Sequence, residues 1–398
     1  MSGATASNRL ENLAETSLEE ISATLTASVA SPVNTAALAA YIEFCETAHF
    51  APAQSPAWIR HWVDQVAPDA VIATLNHRGK PVLMLAMEII HQGPFAIARF
   101  MGGSHANGNF PTNDPRWADV AAMPTTLRPL FKAIAGARPD IDLISLERLQ
   151  PDLNGVANPL LVLPGQHSPN VSLAVDLKGG FDAVLSRISG KRKCKKHRSQ
   201  TRKFEALGGY RRLCASSPRE VRQFLDTFFA MKEARFRRMG ITDVFASADI
   251  RRFFTALFID ALDEPEPSYV LHALEVQGKL RAVTGSSRSA KRLICEFGGI
   301  SEDETTPIGP GDFLFFENIR EACEQGFDTY DFSVGDEPYK RQWCDTETWQ
   351  TDVLVPLTAK GQMLAFTLRR TARLKSMVKN SPAIWRFVKR LRKNTGPR

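Results

Sequence analysis

The sequence predicts an α/β protein made of two tandem units, each a mixed sheet in which an antiparallel meander is followed by a β-α-β crossover flanked by helices. Three observations predict it. The order helix, Pro-bearing turn, hairpin, third strand, loop, helix, strand runs twice along the 398 residues. Its punctuation repeats: Gly102-Gly103 and Gly298-Gly299 lie 196 apart, as do Pro111 and Pro307, while the turn glycines Gly79 and Gly278 lie 199 apart. Within each copy, tight turns join strands that pair antiparallel, whereas a strand–helix–strand connection forces a parallel crossover.

In the first copy, AWIRHWVDQV (57–66) has the spacing of an amphipathic helix, and Pro68-Asp69 punctuates its end. AVIATLNHRGKPVLMLAMEII (70–90) reads as two strands around an HRGK turn, and FAIARFMGG (95–103) as a third. A loop rich in Gly, Asn and Pro leads to a helix over about 124–136 and the strand DLISLERL (142–149). In the second copy, FFTALFIDAL (253–262) is the helix and SYVLHALEVQGKLRAVTGSSRS (268–289) the hairpin around VQGK. RLICEFGG (292–299) is the third strand, SEDETTPIGPG the loop, DFLFFENIREACEQG (312–326) the crossover helix and TYDFSVG (329–335) the last strand. Four segments are expected: a loose leader over 1–34, a first unit over 35–168, a second over 169–357 and a basic helical tail over 358–398.

The net charge of +7 conceals two basic segments on an acidic body. Residues 191–212 hold ten Lys/Arg and one Glu, and residues 358–398 hold twelve Lys/Arg and no acid; the remainder carries 28 bases against 42 acids, a net of −14. An anionic partner is therefore expected at those two places. No run of about 18 apolar residues reads as a membrane span, and the N-terminus lacks the apolar core of a signal peptide. A cytoplasmic protein is expected. The six cysteines make no CxxC pair, and with scattered histidines they read as reduced thiols with no metal site.

The stretch DFSVGDEPYKRQW (331–343) gathers polar groups at the C-terminal end of a strand beside the parallel crossover, where α/β sheets tend to bind ligands. It resembles the D-F-x-x-G-x-E-x-Y-K signature of the GNAT-like acyltransferases associated with bacterial cellulose and exopolysaccharide biosynthesis, the CelD-like family. Asp331, Phe332, Gly335, Glu337, Tyr339 and Lys340 carry the match. The basic stretch 189–209 and the Pro-Gly pair in GPGD (309–312) are similar to further parts of that family. The likeness is good over about 170–350, and the first half is similar to a degenerate copy.

The resemblance implies an acyl-CoA co-substrate, acetyl-CoA or another, and an amine-bearing acceptor. Amine acylation needs a base for the ammonium proton, donors for the oxyanion and an acid for the leaving thiolate. Glu337 is the candidate base, Tyr339 the acid or thiolate-orienting group, and Lys340 a catalytic partner. Arg341 is suited to an anionic group; with Asp331, Asp336 and Trp343 it makes the candidate substrate set. Asp331 also reads as structural. The competing reading is a solvated ion-pair loop of Glu337, Lys340 and Arg341, with Tyr339 and Trp343 as packing.

Gly309, Gly311, Asp312 and Phe313, at the start of the crossover helix, are the candidate coenzyme contacts. This segment departs from the superfamily's Q/R-x-x-G-x-G/A. Pro310 removes a donor, and the Asp312 carboxylate at a helix N-terminus competes with phosphate.

Lys191, Lys195, Arg198 and Arg202 form one basic helical face, suited to phosphates or an anionic polymer, or serving as a solvated link between the halves. Nucleic acid is disfavoured because interleaved aromatics are nearly absent. SPAIWRFVKRLRKN (381–394) reads as a basic amphipathic helix that docks on the body or on an anionic membrane surface. His105, in GGSHANGN, occupies the first copy's counterpart of the coenzyme loop and reads as a loop donor. Two alternatives stay open: a Fem-like transferase using aminoacyl-tRNA, gripped by 191–212, and a non-catalytic scaffold of a membrane-associated polysaccharide synthesis complex.

Overall fold

The protein is described by a computed structural model covering residues 24–117 and 123–380. The first unit opens with β1 (Leu25–Ala30) and helices α1 (Thr35–Cys45) and α2 (Pro56–Val66). Strands β2 (Ala70–His77), β3 (Lys80–Gln92) and β4 (Phe95–Phe100) form its meander; the short β5 (Thr112–Asn113) pairs with β3, and α3 (Pro124–Ala137) crosses to β6 (Leu143–Leu149). The small hairpin β7 (Asp152–Leu153) and β8 (Val156–Ala157) leads to the long β9 (Gly165–Asp176). After α4 (Gly180–Arg187) and α5 (Gly190–Ala206), the second unit repeats the pattern with β10 (Tyr210–Cys214), α6 (Pro218–Met239) and α7 (Ala248–Asp260). Its meander is β11 (Tyr269–Val276), β12 (Lys279–Ser289) and β13 (Arg292–Ile300), and α8 (Pro310–Glu324) crosses to β14 (Thr329–Val334). β15 (Thr346–Pro356) and α9 (Ala359–Asn380) follow.

The duplication read from the glycines is therefore longer than expected, taking in a strand and a helix before each predicted copy and a strand after it. All main strands join one sheet, in the order β1-β2-β3-β4-β6-β15-β9-β14-β13-β12-β11-β10. That order is symmetric about its centre. β9 follows the first unit in sequence but pairs with β14 of the second, and β15 follows the second but pairs with β6 of the first. The two exchanged strands pair antiparallel with each other. Of the expected leader, Leu25–Ala30 pair with β2, and residues 1–23 lie outside the description. The expected boundary at 168/169 falls inside β9. The 381–394 helix also lies outside the described residues.

Local chemistry explains the repeated elements. Both hairpins turn through two residues at positive φ, Arg78 (49°) with Gly79 (78°) and Gln277 (54°) with Gly278 (71°), the turn whose twist suits a tight hairpin. Ser55, Ser217 and Ser247 accept a backbone N–H in the first turns of α2, α6 and α7. The paired glycines, however, are not conformational equivalents. Gly102 is left-handed (φ 101°), and a Cβ there would lie 2.8 Å from the Trp58 ring, whereas Gly298 and Gly299 are ordinary residues of β13.

The helices before each meander pack together. On α2, Trp58 and Trp62 stand edge-on to Phe253 of α7, with ring centroids 4.9 and 4.8 Å apart. One core cluster runs on through Phe228, Phe245, Phe254 and Phe297. Tyr269, fully buried, donates from its hydroxyl to Pro52 O at 2.7 Å, tying β11 to the first unit. Among the described residues all six cysteines are free, and no helix is long and apolar enough to cross a membrane.

Because this cluster joins the units, Trp58→Ala is expected to cost about 3–5 kcal/mol. Urea unfolding followed by circular dichroism should show one lowered transition; two separated transitions would show that the units are stable independently.

Candidate active site

The site follows from where β13 and β14 part. They pair over only three rungs, Arg292 with Thr329, Leu293 with Tyr330 and Ile294 with Asp331. Beyond them both strands carry irregularities. In β13, Cys295 faces Ser286 and Phe297 faces Gly285, leaving Glu296 as an extra, bulged residue. In β14 the register against β9 slips between Asp331 and Val334, and Ser333 takes a left-handed φ of 57°. Bulges bend strands and re-aim side chains. Here they open a wedge that continues into a cavity of about 390 Å³, floored by Cys295–Gly298 and Phe332–Val334 and walled by α6, by Phe315 and by Ser104, His105 and Asn107 of the first unit.

In the first unit β4 and β6 also pair over three rungs and part. There the chain fills its own wedge: Asn109 bridges to Leu149 alongside β6, and the Arg148 guanidinium donates to Ser104 O and Ala106 O. The loop that closes the first wedge supplies a wall of the second.

Glu296 lies at the cleft floor. Ser287 Oγ donates to its Oε1 at 2.5 Å and Asn107 Nδ2 to its Oε2 at 2.7 Å. Burial outweighs these two donors, and nearby Asp331 adds repulsion, so its carboxyl is raised from 4.5 to about 7. Its neighbours are tuned too. Burial, aided by Arg235, lowers Lys232 from 10.5 to about 8. Burial, with Arg99 and Arg148 nearby, lowers His105 to about 4, so this imidazole is neutral at pH 7. Burial pushes the Cys295 thiol up to about 12, which removes it as a nucleophile at neutral pH.

The 331–343 stretch divides between cleft and scaffold. Glu337, Tyr339 and Lys340 line the cavity. Lys340 is buried; its ammonium donates to Val334 O at 2.9 Å and sits 3.0 Å from Glu337, so it ties off the end of β14. The Glu337 carboxylate is half exposed and engaged by that lysine. Gly335 takes a φ of 129°, a backbone conformation that strains any residue with a Cβ. The Tyr339 ring stacks on Phe315, 5.5 Å between centroids, and desolvation holds its phenol well above the usual value, hence protonated.

The expected substrate set lies away from the cavity. Asp331 is buried, accepting from Ser333 N–H at 2.7 Å and Arg292 at 2.9 Å. Arg341 pairs at the surface with Asp336 and Glu347. Trp343 is 1% exposed, with the Lys193 ammonium 3.9 Å from its ring centroid, and serves the core.

The start of α8 does not fit a pyrophosphate. Asp312 is paired with Lys196 at 2.9 Å and Lys193 at 3.5 Å, so the chain's own carboxylate sits at the positive helix end. Gly309 is left-handed (φ 86°), and Gln200 Nε2 donates to its carbonyl at 3.0 Å. Gly311 packs on Ile300, with room for no Cβ. The Phe313 side chain is fully buried beside Phe204, and its N–H already donates to Gly309 O. By contrast Lys191, Lys195, Arg198 and Arg202 are exposed along α5. Among the described residues no group of three or more His, Cys, Asp or Glu is placed to hold a metal.

Sequence reasoning missed Glu296, Lys232 and Asn107. A lone acid inside the apolar RLICEFGG was the available signal for Glu296, and the helical spacing of Val221, Phe224, Leu225 and Phe228 for the helix carrying Lys232.

Residues 191–341 match the family model described as an acetyltransferase (GNAT) domain, so the second unit is a GNAT-type domain. No curated protein matches the chain. Among solved structures, FemX is similar in fold at 12% identity and a TM-score of 0.55, covering 84% of this chain and 98% of that one. L-PGS from Bacillus licheniformis is similar at 12% identity and 0.51, covering 85% and 96%, and a conserved protein from Bacteroides thetaiotaomicron at 12% and 0.51, covering 81% and 99%.

Asn107 donates to the charged form of Glu296, so removing it disfavours ionisation. Asn107→Ala is expected to move the Glu296 titration midpoint above about 7, read by carbon-13 NMR of labelled glutamate; an unchanged midpoint would show that the contact does not set it.

Proposed function

We propose that the chain is an N-acyltransferase that carries an activated acyl group to an amine at the β13–β14 wedge. The single observation behind this reading is Glu296, a sheltered carboxyl at a strand bulge, with a pKa of about 7. A base of that strength is matched to taking a proton from an ammonium near neutral pH. The freed amine attacks the acyl carbonyl and the carbon–carrier bond breaks; Tyr339, protonated and at the cavity wall, gives its proton to the leaving group and takes back the one that the new amide nitrogen sheds. Glu337 is reassigned from base to partner of Lys340, which holds the β14 end in place.

The acceptor's character follows from the walls. Phe236, Met239, Val244, Phe245, Phe254 and Phe297 are apolar, with Lys232 and Arg235 beside them. These suit an amine on a largely apolar body bearing an anionic group.

For the donor, acyl-CoA is the expectation from the fold, yet the α8 end is taken by Asp312. Phosphate contacts then fall to α5. Lys191, Arg192, Lys195, Arg198, Arg202 and Lys203 are exposed along it, more cations than a coenzyme's phosphates need, and they favour the Fem-like reading with aminoacyl-tRNA as donor. Neither the cleft nor the fold supports a role in cellulose or exopolysaccharide synthesis, or a membrane or polysaccharide-complex partner.

The test offers acetyl-CoA, longer acyl-CoAs and aminoacyl-tRNA separately, each with a panel of amines. Transfer should rise with pH through about 7 as Glu296 loses its proton, and Glu296→Gln should lower kcat by about 10²–10⁴-fold. If the tRNA arm is active, Arg198→Glu with Arg202→Glu should weaken binding and flatten its salt dependence. No transfer from any donor by the folded chain would overturn the proposal.

A further inference from the structure

Glu296 borders two spaces. In front is the cleft. Behind it, a cavity of about 10 Å³ lies between Glu296 and Asp331, lined also by Gln150, Ser172, Ser333 and Gln350. A polar space of that size accommodates about one water. Gln350 is 2% exposed; its Nε2 donates to Asn107 O at 2.9 Å, while its Oε1 is buried with no hydrogen-bond partner among the described residues. A buried acceptor left without a donor is costly, and a water in this cavity would supply the donor.

The path continues outward. Asp331 accepts from Ser172 Oγ at 3.3 Å and from Arg292 at 2.9 Å. Arg292 and Gln150 line a further cavity of about 380 Å³, open to solvent. The three spaces thus join in series through shared side chains: Glu296 between the first two, Gln150 and the Asp331–Arg292 pair between the last two.

We propose that the small cavity holds a relay water that carries the proton gained by Glu296 through Asp331 to solvent at the outer cavity. The need is physical. Reactants seated in the cleft stand between a base on its floor and the mouth, so a rear path lets it shed its proton before the product leaves. In the relay, the Glu296 O–H bond breaks as the water gains that proton; the water passes one of its own to an Asp331 oxygen, and Asp331, itself buried, hands it to a solvent water that enters beside Arg292 from the outer cavity. Nothing is oxidised or reduced, and Glu296 is again a carboxylate. Arg292 moves no proton; it holds Asp331 in place. This inference rests on the base role proposed for Glu296.

Gln350→Leu removes the acceptor; because it also loses the tie to Asn107 O, its Glu296 titration midpoint is read first and should stay at about 7, which separates the relay from the base. A high-resolution crystal structure of the wild-type chain should place a water within hydrogen-bond distance of Gln350 Oε1, and none there in the variant. In rapid-quench kinetics the variant should keep its first turnover but lose about tenfold in steady-state kcat with KM unchanged, and added imidazole should restore it. Glu296→Gln should lose both phases and gain nothing from imidazole. A dry cavity in the wild type, or a variant that turns over normally, would overturn the relay. A wild-type chain active with no donor would instead sink the base role, and the relay with it.

Discussion

The exchange of β9 and β15 is the constraint on which the rest of this molecule depends. Each unit leaves β6 or β14 with one side unpaired, and the strand that fills it comes from the other unit. Backbone groups buried in a sheet interior must be paired, so neither unit completes its sheet alone. The exchange fixes the two units side by side. It also brings the first unit's 104–107 loop over the second unit's wedge, where Asn107 reaches Glu296.

Two nearly equivalent wedges therefore have opposite fates. In the first, Arg148 and Asn109 turn the space into ordinary packing. In the second, the space stays open and lined by groups that are expensive to keep: a sheltered carboxyl, a depressed lysine and a serine at positive φ. Such features persist where surrounding structure over-determines them. The aromatic cluster and the Lys340 tie to the β14 end supply that rigidity.

How much was legible follows the range of the interactions. The hairpins were, because Arg78-Gly79 and Gln277-Gly278 carry their turn chemistry within two residues. The crossovers were, because helix and strand periods alternate there. β9 and β15 were not, since GQHSPNVSLAVD and TETWQTDVLVP form strands by pairing with the opposite unit. The 331–343 stretch was correctly placed at a strand end, but its roles depend on which way each side chain faces. Lys340 turns inward, Tyr339 lines the cavity while its other side stays exposed, and Trp343 turns to the core. Glu296 was overlooked because an acid in a strand gains its meaning from a bulge that no local pattern announces.

The symmetric strand order also bears on ancestry and assembly. A chain carrying a single copy would project its last strand with nothing to pair with, and a second copy of itself would be the natural complement, each giving and receiving one strand. Such a unit would be an obligate dimer with two identical wedges. Joining the copies in one polypeptide makes that association unimolecular, so it no longer depends on concentration. It also releases the halves from identity, which allows one wedge to be sealed as scaffold while the other retains the chemistry.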